Sequence, residues 1–259
     1  MLIASRVKEW VEPLLYRIIF LCPTFSVLDR ISFTAQILHH VLATKPPGFL
    51  QKSVRHLFID PSLEVSGFTG ILAACDRATD LFVCFTSKGD VRRLSSFRCL
   101  QRLAISVTNL LDLVEMDETV VRNLTHLELM RTFHYFNLDG DANPSDLAKC
   151  LSSIPQLTHI AFNSLPTTPV YSTLCVNPRI QCIVCVALEP SGLARAGLLP
   201  NDNRFLCIDR TDFREDWLRG AEGGQDYWRL AETFIAAKRA GKVDRAVYSI
   251  SDDDDSWNN

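Results

Sequence analysis

A short apolar motif returns six times along this 259-residue chain, and few folds accommodate it. The motif is an aliphatic residue, two variable ones, an aliphatic, one variable residue and a last apolar side chain. Its copies are Val54-Leu57-Ile59, Ala78-Leu81-Val83, Leu100-Leu103-Ile105, Leu124-Leu127-Leu129, Leu157-Ile160-Phe162 and Ile180-Ile183-Cys185, with a degenerate seventh at Leu206-Ile208. The first positions, 54, 78, 100, 124, 157 and 180, recur every 22 to 24 residues apart from one interval of 33. A repeat of that length is one supersecondary unit that buries its apolar face only against its neighbours. The last two apolar positions of each copy are two apart, so on a strand they share a face. Helical patterns fall between copies, at 66–75, 90–97, 117–123 and 144–154; Asn143 is placed to cap the last, with Pro144 in its first turn. Strand and helix alternating in under 30 residues predict a curved parallel sheet with its helices outside. Each copy buries about three apolar side chains, worth roughly 1.5–3 kcal/mol apiece, against an ordering cost of about 1–2 kcal/mol per residue. One repeat cannot stand alone; a stack can.

Over residues 50–210 the pattern resembles the leucine-rich-repeat family, which implies an α/β fold, an irregular solenoid with a curved parallel sheet and outer helices. The chain departs from the family where an asparagine usually follows the strand and ties neighbouring turns together. Ser62, Thr86, Thr108 and Thr132 fall near that place, and their hydroxyls are expected to make some of those backbone bonds.

Both ends differ from the repeats. Residues 1–50 are expected to form an N-terminal capping segment, 51–210 the solenoid, 211–248 a helical cap and 249–259 an acidic disordered tail. Near the start, Trp10, Leu14, Leu15 and Tyr16 resemble the last helix of an F-box and the link after it, as in fungal F-box and leucine-rich-repeat proteins. That resemblance implies a truncated F-box and a Skp-type adaptor of a cullin ubiquitin ligase as a partner. Read by periodicity alone, Trp10, Leu14 and Ile18 share a helix face that caps a first strand at 16–22. Residues 26–42 read as an amphipathic helix, stopped by Lys45-Pro46-Pro47-Gly48. Towards the other end, Asp212 and Glu215 have capping-box spacing. Tyr227, Ala231, Phe234 and Ile235 then form one apolar helix face, ended by Gly241, which would close the last repeat. The run Asp252-Asp253-Asp254-Asp255 reads as a solvated tail. A sharper reading makes 247–251 a strand for a SUMO-type sheet edge, with Ser249 and Ser251 open to an acid-directed kinase.

Composition narrows the function. A net charge of -3 supplies no field for nucleic acid or anionic membrane. The most apolar stretch, 14–28, is interrupted by Arg17 and Pro23 and is too short to span a bilayer. Nine cysteines, an odd number scattered through apolar segments, fit free thiols in a reducing compartment, cytoplasmic or nuclear.

No catalytic, cofactor or metal motif assembles in the sequence. The thiols of Cys182-Ile183-Val184-Cys185 would face opposite ways on a strand. Asp139-Gly140-Asp141 begins like a calcium loop, but Pro144 and Cys150 stand where its glycine and glutamate are required.

One constellation follows from the repeat register. His56, Asp80, Arg102, His126, His159 and Cys182 precede the second aliphatic of each copy, and Phe58, Phe82, Ala104, Glu128, Ala161 and Val184 follow it. Stacked strands would line these residues along the concave face and make His126 and His159 neighbours. A mixed aromatic, charged and imidazole surface suits an unknown protein ligand. The expectation is a non-enzymatic protein-binding solenoid resembling the substrate-recognition part of F-box proteins. The alternative is an active ligase subunit that recruits its adaptor through a longer isoform or another chain.

Overall fold

Every copy of the apolar motif becomes a parallel strand. The computed structural model describes residues 2–22, 33–63, 69–84, 91–130, 143–186, 202–210, 212–251 and 257. The chain divides into two units, Met1–Ile105 with Asp112–Leu124, and Ser106–Leu111 with Thr125–Asn259.

In the first unit, α1 (Leu2–Leu15) leads into β1 (Ile18–Leu21), followed by α2 (Ala35–Thr44), α3 (Phe49–Ser53) and β2 (His56–Ile59). Next come α4 (Thr69–Ala74), β3 (Asp80–Phe82), a 3-10 turn at Arg92–Ser96 and β4 (Arg102–Ser106). The division between units falls inside α5 (Val107–Met116), and a second 3-10 turn, Glu118–Val121, belongs to the first unit. Strands β1 to β4 pair in chain order, with Ile18, His56, Asp80 and Arg102 in one row and Phe20, Phe58, Phe82 and Ala104 in another. The Phe20, Phe58 and Phe82 rings stack at 4.4 Å between successive centroids. On the other face, Leu57, Leu81 and Leu103 form a buried aliphatic ladder.

The second unit runs β5 (His126–Met130), α6 (Pro144–Ser153), β6 (His159–Phe162), α7 (Thr168–Val176), β7 (Cys182–Val186) and β8 (Phe205–Asp209). It ends with α8 (Phe213–Ala221), α9 (Tyr227–Arg239) and β9 (Ser249–Ser251). Its strands are also parallel and paired in chain order. Caps fall where the sequence puts them. Asn143 accepts from the Ser145 N–H with Pro144 in the first turn, and Asp212 accepts from the Arg214 and Glu215 N–H groups. Gly241, at φ +73°, sits just past α9, where the Lys242 N–H reaches back to the Ala237 carbonyl.

Both faces of the sheet are covered in this unit. Tyr171 of α7 meets Phe205 edge-on at 5.7 Å on one face. On the other, Ala161, Cys182, Val184, Val186, Leu206, Ile208 and Ile250 form one core with Tyr227, Trp228, Leu230, Ala231, Phe234 and Ile235 of α9. That two-sided burial explains strands such as Cys182–Val186, buried at all five positions. The expected end cap is therefore a lid on a sheet face.

Several expectations shift. Ser249–Ser251, expected to open a disordered tail, form β9 against β8 of the same chain, and Trp257 lies against Phe234 at 5.1 Å between centroids. The four aspartates lie outside the described residues. Helices α5 and α7 were not foreseen, and of the helix expected at 26–42 the described part begins at Ala35. Links between neighbouring turns come from strand-entry threonines. The Thr79 hydroxyl donates to the Arg55 carbonyl and that of Thr158 to the Thr125 carbonyl, both at 3.2 Å. Ser62 bonds locally to Asp60, Thr108 lies in α5, and Thr86 and Thr132 fall outside the described residues.

Candidate functional site

Within each unit the strand register expected for the recognition face is the register found, but most of that face is buried. In the first unit His56 and Arg102 are half-buried, and His56 Nδ1 lies 3.3 Å from Asp80 Oδ2. Phe58 and Phe82 are buried, the first completely, as members of the aromatic stack. In the second unit Glu128, His159, Cys182, Ala161 and Val184 are all buried. A row that carries Ala161, Val184 and Leu206 presents apolar surface, and α9 removes it from water. The expectation of an exposed surface through Phe58, Phe82, Glu128 and His159 is thus corrected: these side chains belong to the interior.

Glu128 has a partner that the motif did not disclose. Arg210, just after β8, donates to Glu128 Oε1 at 2.7 Å and approaches Oε2 at 3.5 Å. The Tyr227 hydroxyl donates to Glu128 Oε2 at 3.1 Å, and its ring lies under the guanidinium at 4.8 Å. Asp216 of α8 sits 3.9 Å from Arg210 Nη1 and accepts from the Tyr227 backbone N–H at 3.0 Å. Burial pushes the Asp216 carboxyl up to about 7, with Arg210 opposing and Asp226 and Glu128 adding to the rise. Burial alone would make the Arg210 guanidinium easier to deprotonate, but the surrounding carboxylates reverse this and hold it charged. These groups bond to one another inside the fold, and the arrangement clasps α8 and the start of α9 to the sheet.

The expected neighbours His126 and His159 do meet. They pair across β5 and β6, and their rings stack at 4.2 Å, 8° from parallel. Each Nδ1 lies against the hydroxyl of the preceding threonine, at 2.9 Å for Thr125 and 2.8 Å for Thr158. Trp228 of α9 walls the pair edge-on, 5.1 Å from His126 and 6.0 Å from His159. His159 Nε2 stands 3.1 Å from Glu232 Oε1, one turn further along α9. The C-x-x-C pair splits, with Cys182 in the core under α9 and Cys185 in register with Cys207 on the opposite face. The Asp139-Gly140-Asp141 loop lies outside the described residues.

At the N-terminus α1 holds an apolar surface in the open. Val7 is 48% exposed, Trp10 72%, Val11 45%, Leu14 63% and Leu15 65%. Trp10 and Leu14 therefore do not cap the first strand, and Ile18 lies in β1 rather than on the helix. Tyr16 turns inward, meeting Phe49 edge-on at 5.2 Å and Phe33 at 5.7 Å. Glu12 forms an ion pair with Lys45 on the far side of the apolar residues, and Lys45 holds that carboxyl below its ordinary range.

Comparison with family models, with curated proteins and with solved structures yields no match, so geometry alone bears on function. Sequence reasoning missed Arg210, at the very end of the last repeat, and Asp216, Trp228 and Glu232, which come from beyond the repeats. The one available signal was the apolar Ala161, Val184 and Leu206 series, which required a cover.

Proposed function

We propose that this chain is a non-enzymatic protein-binding repeat protein, an irregular leucine-rich-repeat-like solenoid that takes its partner through α1. The observation that carries the reading is the exposed apolar face of that helix. Val7, Trp10, Val11 and Leu14 follow the i, i+3, i+4, i+7 spacing by which an amphipathic helix enters a partner's hydrophobic groove. A contiguous apolar patch of this kind marks an interaction surface, and an exposed tryptophan at its centre is a typical energetic anchor. Half-buried His56 and Arg102, on either side of the buried Asp80, supply a polar strip on the same unit.

Nine unpaired cysteines support placing the chain in a reducing setting, cytoplasm or nucleus. Among the described residues no helix is long and apolar enough to cross a membrane.

Affinity purification with quantitative mass spectrometry tests the reading by comparing wild type with Trp10→Ala/Leu14→Ala. Loss of the captured partners with an unchanged melting temperature supports it. An unchanged set of partners refutes it, because side chains this exposed contribute little to folding.

A second reading rests on the likeness of Trp10, Leu14 and Leu15 to an F-box ending: the chain serves a cullin-type ubiquitin ligase and its partner is a Skp-type adaptor. Calorimetry with a purified adaptor decides between the two. Tyr16 packs inward, so its substitution would act through folding and is left out of that test.

A further inference from the structure

The paired histidines occupy a position that the protein-binding role does not use. His126 and His159 stand in register on adjacent strands, and Glu232 reaches them from α9. One ligand atom from each of the three lies within 4.8 Å of the other two. His159 Nε2 and Glu232 Oε1 stand 3.1 Å apart, and the stacked rings, 4.2 Å between centroids, put one nitrogen of each imidazole within reach of a single shared ion.

We propose that His126, His159 and Glu232 form a binding site for a divalent transition-metal ion, zinc foremost. Two imidazoles and a carboxylate are a nitrogen-rich set that suits zinc, copper or nickel and disfavours magnesium or calcium. The threonine contacts at both Nδ1 atoms would serve as the outer-shell hydrogen bonds that orient ligating histidines. Trp228 dries one side of the site, while the Glu232 side chain, 48% exposed, leaves an entry path and a free coordination position. Zinc with bonds of about 2.0–2.1 Å brings tetrahedral ligand atoms to about 3.3–3.5 Å from each other. Binding therefore draws the three atoms together and tilts one ring away from the parallel stack, with the exposed Glu232 moving furthest.

The full-length reduced protein, titrated with zinc and separately with cobalt(II) as a spectroscopic probe, tests the site. One equivalent should bind, with four-coordinate visible bands and no thiolate charge-transfer band. His126→Gln and His159→Gln should abolish that equivalent, and Glu232→Gln should weaken it about tenfold or more. Circular dichroism shows that each variant is folded; should a histidine variant unfold, Glu232→Gln at the exposed position still decides. Absence of a stoichiometric ion overturns the proposal and leaves His159 bonded to Glu232 alone. So does binding that survives all three substitutions, or a spectrum dominated by thiolate.

Discussion

Replacing Asp216 with asparagine should change how stability depends on pH, and the structure sets both sign and size. The carboxyl is 1% exposed and shares its surroundings with Arg210, Asp226, Glu128 and the Tyr227 amide. Burial raises it from an ordinary value of 3.8 to about 7. The folded protein thus holds this proton more tightly than the unfolded chain does. The resulting stabilisation is fully present below the unfolded value and is lost as pH rises through the folded one. At about 1.4 kcal/mol per pH unit between the two values, moving from about pH 5.5 to 8 removes roughly 2 kcal/mol. Asparagine keeps an oxygen for the Tyr227 N–H and cannot titrate. Wild type should therefore lose roughly 2 kcal/mol more than Asp216→Asn across that range. Urea denaturation in reducing buffer, followed by tryptophan fluorescence, measures it, since Trp217, Trp228 and Trp257 all lie in the second unit. Every other titrating group is common to both proteins, so the difference isolates this carboxyl. If the two stabilities fall in parallel, Asp216 is ionised throughout and the reasoning fails.

Removing the Arg210 charge alone, as Arg210→Met, should cost about 3–5 kcal/mol by stranding Glu128, and adding Glu128→Leu should recover much of that loss; a double-mutant cycle in urea gives both numbers. Phe58→Ala should cost about 3–5 kcal/mol, because the ring is fully buried between two others. Chemical denaturation would show this, and a change below about 1 kcal/mol would place the ring at a surface instead. Ellman's reagent should label Cys99 first and leave Cys75 and Cys150 silent until urea is added, since burial pushes those two thiols up to about 12 and about 11.

The strands were legible because their information is local. An apolar pair two residues apart with a recurring partner three residues earlier marks each strand from Val54 to Cys185, and the pair alone marks Leu206-Ile208. Register followed from the same spacing, which is why the proximity of His126 and His159 could be read before any coordinates. Exposure could not be read in that way, because it depends on what covers a face, and the cover comes from residues far along the chain. Glu128 looked like a surface charge until Arg210 and Tyr227, 82 and 99 residues away, arrived beside it. Helix α9 was recognised from its apolar stripe of Tyr227, Ala231, Phe234 and Ile235. An amphipathic helix at the end of a repeat series, however, satisfies its pattern equally well by closing an end or by lying on a sheet. The deciding clue was compositional, since strand positions such as Cys182, Val184 and Leu206 are too apolar for a face left in water.

The lid formed by α9 also constrains biosynthesis. The apolar row through Ala161 and Val184 leaves the ribosome roughly 50–75 residues before Phe234 and Ile235 can reach it. At about 5–20 residues per second, that interval lasts seconds, long compared with the microseconds in which exposed apolar segments collapse. For that time the nascent second unit carries a bare parallel sheet face. Ribosome-bound chains halted before residue 227 should therefore be strong clients of holdase chaperones, and chains from which α9 has fully emerged should be released from them.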